Sequence, residues 1–130
     1  MKPLLFLLIM IPAICMGQKN GDTKIIINAD ADVDITSTLK KAFIKEGFII
    51  KDVPSKDTIT TYLASLNGVS VVARAIIHKR IITITGLYGS KDQSGSVKGY
   101  QPIEYYKDNK EWKKLMSVAN AMGGYISFSK

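Results

Sequence analysis

The chain has 130 residues, 46% hydrophobic and 22% charged, with 18 basic against 11 acidic side chains and a net charge of +7. That length suits one domain with an apolar core, and its one cysteine cannot form an internal disulfide. One histidine leaves little scope for imidazole catalysis or a histidine-rich zinc site.

Met1-Lys2-Pro3 is followed by an apolar run from Leu4 to Ile14. A positive charge ahead of a short apolar run has the order of a secretory signal. A membrane-spanning helix needs about 20 apolar residues, and polar residues begin here at Gln18. Cys15-Met16-Gly17 places small residues suitably for cleavage before Gln18. Residues 1–17 are therefore predicted to be a signal peptide and 18–130 a single α+β domain without cysteine, stabilised by its core. The expected location is periplasmic or secreted. Lipid anchoring through Cys15 is the alternative, although Ile14 stands where a lipoprotein signal wants a small residue. Outside the cytoplasm a basic surface meets anionic lipid, acidic glycan or an acidic protein rather than nucleic acid. Membrane contact is then peripheral unless Cys15 is acylated. Solubility alone is the other reading of the charge.

Gln18 to Thr23 reads as a mobile polar arm. Lys24 to Asn28 is short, β-branched and apolar, as a strand requires, and Ala29 to Asp34 is an aspartate-rich turn. Ile35, Leu39, Ala42 and Phe43 recur on one helical face, with Asp34 or Thr36 to cap the start and Gly47 to end it. Phe48 to Val53 predicts a strand stopped by Pro54-Ser55. Thr58 to Leu66 runs into Asn67-Gly68, a strong hairpin signal that pairs Leu66 with Val69, Leu63 with Val72 and Ile59 with Ile76. Val69 to Ile77 and Ile81 to Thr85 flank a charged tip, His78-Lys79-Arg80, which completes a four-strand meander. Residues 86–107 hold no period and several glycines, and read as a long loop. Asp108 and Glu111 suggest a capping box. Trp112, Leu115, Met116, Ala119 and Met122 then mark the buried stripe of a helix, ended by Gly123-Gly124 before a short apolar tail, Tyr125 to Phe128.

The order β-α-β-β-β-β-α predicts a two-layer sandwich. Two amphipathic helices cover one face of an antiparallel five-stranded sheet. That order resembles the TATA-box-binding-protein-like fold. The Met-Lys opening, leucine-rich run and Gly-Gln junction resemble exported proteins of Bacteroidota, small domains of unknown function among them. The resemblance lies in topology and leader, and it implies a fold without assigning an activity.

Chemistry is sparse. Asp30, Asp32 and Asp34 form a D-x-D-x-D run, but an EF-hand loop from Asp30 would need glycine where Ile35 stands and glutamate where Lys41 stands. Acids ahead of a helix cap it and complement its dipole. His78 sits at an exposed tip without partners for a triad. Gly86, Gly89, Gly95 and Gly99 lack phosphate-loop spacing. Carboxylate-pair hydrolysis would have to use Glu46, Glu104 or Glu111, and no second carboxylate obviously faces Glu104. No catalytic residue, metal or cofactor is assigned. The best binding candidates are the tyrosines and lysines interleaved along 87–107, namely Tyr88, Lys91, Lys98, Tyr100, Tyr105, Tyr106 and Lys107. The expectation is a non-enzymatic exported binding or assembly module of the cell envelope, acting through an exposed sheet face or that loop. Two alternatives remain: a small hydrophobic-ligand carrier with a pocket between Trp112, Met116 and the sheet, and a carboxylate-dependent hydrolase.

Overall fold

The computed structural model describes residues 17–51, 57–66, 69–91 and 97–130, leaving aside the side chains of 63–66, 91, 97 and 98. The predicted leader up to residue 16, the Pro54-Ser55 stop and the Asn67-Gly68 turn lie outside the described residues.

Strand β1 (Lys24–Asn28) alternates as a half-buried strand must, with Ile25 and Ile27 fully buried. Helix α1 (Ile35–Lys45) buries Ile35, Leu39, Ala42 and Phe43, and Asp34 accepts the Ser37 N–H at its N-cap. Gly47, at φ +92°, lets the chain reverse. Phe48 then enters the core and meets the Phe43 ring edge-on at 5.4 Å. The predicted strand after it shrinks to β2 (Ile49–Ile50). Strands β3 (Thr58–Leu66), β4 (Val69–His78), β5 (Ile81–Lys91) and β6 (Val97–Pro102) follow, then α2 (Lys110–Ala121) and β7 (Tyr125–Ser129).

All strand pairs are antiparallel, in the order β2-β3-β4-β5-β1-β7, and β6 also pairs with β5. The long strand β5 shares one edge between two partners: Ile81–Ile84 pair with β1, and Leu87–Lys91 with β6. Ile25, Ile27, Ile59, Ala73, Ala75, Ile82 and Ile84 form the buried face of the sheet. Trp112, Leu115, Val118 and Ala119 of α2 and the buried face of α1 join the same core. Across the helices, Lys114 donates to the Glu46 carbonyl at 3.0 Å and approaches its carboxylate at 3.8 Å.

Several expectations need correction. The sheet has seven strands, not five. Residues 86–107 are not a loop throughout: β5 continues to Lys91 and β6 returns along it. Gly86 reads as a breaker but serves packing. A Cβ there would lie 2.6 Å from Ile103 Cδ1 and 3.1 Å from Leu115 Cδ1, so the strand needs its smallest residue where those side chains close over it. The apolar tail becomes β7, paired with β1. In the β3–β4 hairpin Leu66 does pair with Val69, but an irregularity between Leu63 and Leu66 shifts the rest, so Leu63 pairs with Val71 and Ile59 with Ala75. Asn109, not Asp108, caps α2, its Oδ1 accepting the N–H groups of Glu111 and Trp112. The predicted mobile arm is pinned. Gly21 donates to the Tyr105 carbonyl, Tyr105 donates to that of Asp22, and Gln18 Oε1 accepts from Trp112 Nε1 at 2.7 Å.

Arg80, expected only as part of a charged tip, holds the turn before α1. Its Nε donates to the Ala29 carbonyl at 3.3 Å, and Nη2 donates to Val33 at 3.0 Å and to Asp30. These carbonyls precede a helix and have no ladder partner on that side. Arg80→Ala is expected to cost about 1–2 kcal/mol, read as a lower urea midpoint with an unchanged slope.

Candidate functional site

The predicted binding residues separate into two groups. Tyr88 and Lys91 lie on β5, and Lys98 and Tyr100 on β6, so four of them belong to one hairpin. Tyr88 is half-buried against the core, and its hydroxyl reaches Gln101 Oε1 at 3.4 Å. Tyr100 is exposed, whereas the side chains of Lys91 and Lys98 fall outside the described residues.

Tyr105, Tyr106 and Lys107 precede α2 and line a cleft of about 480 Å³ with Gln18, Asn109, Trp112, Lys113 and Met116. Neither Tyr88 nor Tyr100 lines it. The Tyr105 and Trp112 rings lie 5.9 Å apart, and Phe128 backs Trp112 at 6.2 Å. Trp112 itself is buried, so the cleft's accessible surface comes from exposed Tyr106, Lys107, Lys113 and their neighbours. Trp112 and Met116 thus meet a cavity, but one that opens at the surface beside the 105–109 segment. Its ion pair, Asp108–Lys113 at 3.7 Å, is solvent-exposed on both sides, where such pairs contribute little. Asp34 is occupied in capping α1, and among the described residues no three His, Cys, Asp or Glu side chains gather as a metal site would need.

The exposed sheet face, expected from the sequence but without assigned residues, lies opposite the core. Cross-strand register arranges it in rows. One row is apolar over five strands: Pro102, Leu87, Val72, Tyr62 and Ile49. The next holds Thr85, Arg74 and Thr60. A third runs Ser127, Ile26, Thr83, Ile76 and Thr58, and a fourth Tyr125, Asn28, Ile81 and His78. Ile49, Ile76, Ile81 and Leu87 are each 42–50% exposed, so no described element covers this face. Lys24, Arg74 and Lys51, whose Nζ lies 5.4 Å from the Tyr62 ring centre, bring positive charge to it, and among the described residues no carboxylate stands in any row. The available signal was Val69 to His78, where apolar residues occupy both parities of the strand. A strand solvated on one face alternates more cleanly.

No family model, curated protein or solved structure matches this chain.

Proposed function

We propose that the protein is a non-enzymatic binding module, exported to the cell envelope, that docks an acidic protein partner on the open face of its sheet. The observation that carries this reading is the combination on that face among the described residues: four well-exposed aliphatic side chains, the cations Lys24, Lys51 and Arg74, and no compensating carboxylate. Beside the one apolar row, Thr58, Thr60, Thr83, Thr85 and Ser127 set hydroxyls among aliphatic and charged side chains. Such a mixture suits a protein interface, which combines apolar contact with about one hydrogen bond per 100–200 Å². Insertion into lipid would instead favour protruding apolar groups, and β-branched side chains on a sheet stay close to its surface. Charge complementarity selects the acidic partner. Export is supported by the leader-like composition of the first 17 residues.

The test is photo-crosslinking in a native envelope preparation, with a photoreactive residue at position 76 or 81 and a control at position 44. Ile44 is an exposed isoleucine of α1, away from the sheet. The expected result is a discrete protein adduct from 76 and 81, suppressed by salt and absent from 44. The same products from all three positions, lipid adducts alone, or no adduct would overturn the reading.

A further inference from the structure

Along one edge of β5 the partner changes from β1 to β6, and the junction falls at Thr85 and Gly86. There the open face sinks into a cleft of about 290 Å³, lined by Thr23, Val72, Arg74, Thr85, Leu87 and Pro102 among others. Arg74 makes no hydrogen bond or ion pair with any described residue. Its cross-strand neighbours are Thr60 and Thr85, which offer hydroxyls and no negative charge.

We propose that this cleft is a carboxylate-binding subsite with an apolar wall. A guanidinium presents a planar fork of donors that matches a carboxylate in two parallel hydrogen bonds. The hydroxyls of Thr23 and Thr85 stand beside it as further donors. Val72, Leu87 and Pro102 form the wall on which an apolar group next to the carboxylate rests. Arg74 and Leu87 are both exposed, so the wall shields the polar contact on one side only. The cleft lies at the small end of the roughly 300–1,000 Å³ typical of ligand pockets, so it fits a group of amino-acid size. Among the described residues Arg74 is the only cation in its lining, which matches a single negative charge better than a dianionic phosphate. The assignment rests on the docking reading in one respect. There, the carboxylate is an acidic side chain of the partner, set beside an apolar residue, and Arg74 is the charged anchor of the interface. Arginines ringed by apolar contacts dominate many interfaces in this way.

The experiment is NMR titration of the isotopically labelled domain with N-acetyl-leucine and with doubly blocked Leu-Glu dipeptide. Their neutral counterparts, N-acetyl-leucinamide and blocked Leu-Gln, serve as controls, together with acetate and inorganic phosphate. A carboxylate probe is expected to shift the Arg74 Nε–H signal and the amides of Thr85 and Leu87 saturably, at least fivefold more tightly than its neutral counterpart or acetate. Arg74→Gln should abolish the shifts without moving the melting temperature, and Lys41→Gln, a charge control on α1, should leave them intact. Binding of the blocked Leu-Glu probe supports a protein carboxylate. Binding of N-acetyl-leucine alone supports the subsite and assigns it to a free small acid. Equal binding of neutral probes, acetate or phosphate overturns it. Crosslinks from 76 and 81 with no carboxylate shifts would retain the docking face and remove the subsite. Shifts without crosslinks would do the reverse.

Discussion

Trp112→Ala is expected to destabilise the fold by about 4 kcal/mol, close to the upper range for removing a buried aromatic. The side chain is 2% exposed and carries three attachments at once. Its ring packs against Tyr105 at 5.9 Å and Phe128 at 6.2 Å, joining the segment before α2 to the last strand. Its Nε1 donates to Gln18, which fixes the chain ahead of β1. Truncation leaves a cavity at the meeting point of both chain ends, and the neighbours cannot all collapse into it. Since a domain of this size has only about 5–15 kcal/mol of stability, a variant left with a small remainder should unfold at markedly lower urea. Trp112→Phe keeps most of the ring burial but loses the hydrogen bond, so its midpoint should lie between those of the alanine variant and the native protein. Equal midpoints for native and alanine forms would show that the ring does not hold the termini together.

The second large effect belongs to a glycine. Gly124→Ala is expected to cost about 3–4 kcal/mol, combining backbone strain with a clash that cannot relax. Gly124 adopts φ +82°, and a Cβ built there would lie 2.3 Å from the Asn28 carbonyl oxygen and 3.2 Å from Ala29 Cα. Both obstacles are backbone at the end of β1, so relief requires β7 to move away from its partner. Gly123 supplies the control, because it shares a positive φ of 68° but a Cβ would find only Asp30 Oδ2, at 3.6 Å. Gly123→Ala should therefore cost about 1 kcal/mol. Thermal unfolding of the pair separates strain from collision. Comparable losses would mean that the approach to Asn28 is not limiting.

The fold was legible wherever one face of an element was buried and the other wet. Ile25 and Ile27 alternate with solvated neighbours, and Ile35, Leu39, Ala42 and Phe43 repeat at helical spacing, so β1 and α1 follow from pattern. The second half of β5 and all of β6 were hidden because glycine has a second use. Gly86 looks like punctuation, yet it sits within a strand because Ile103 and Leu115 occupy the space of its side chain. That reason depends on residues 17 and 29 positions away, which no local pattern contains. β7 was hidden by brevity: Tyr125 to Ser129 is strand-like, but only β1, near the other end of the chain, gives it a ladder. The candidate site divided for a related reason. Tyrosine–lysine interleaving located Tyr105, Tyr106 and Lys107 beside a cleft, but it could not distinguish them from Tyr88, which the core claims. Arg74 carried no local signal at all. An arginine between two alanines looks like an ordinary solvated position until register sets Thr60 and Thr85 on either side.

Placing β1 between β5 and β7 has a consequence for how the molecule is made. Lys24–Asn28 pairs on one side with Tyr125–Ser129, a segment that all the other described elements separate from it in sequence. The β4–β5 hairpin is local and can assemble by itself, whereas closure around β1 requires that distant segment. Release of a chain shortened by those few residues would strand β1 with a bare ladder and leave Ile25 and Ile27 poorly roofed, a species disposed to pair with other copies. A polypeptide of this design completes its sheet only when Lys24–Asn28 and Tyr125–Ser129 meet.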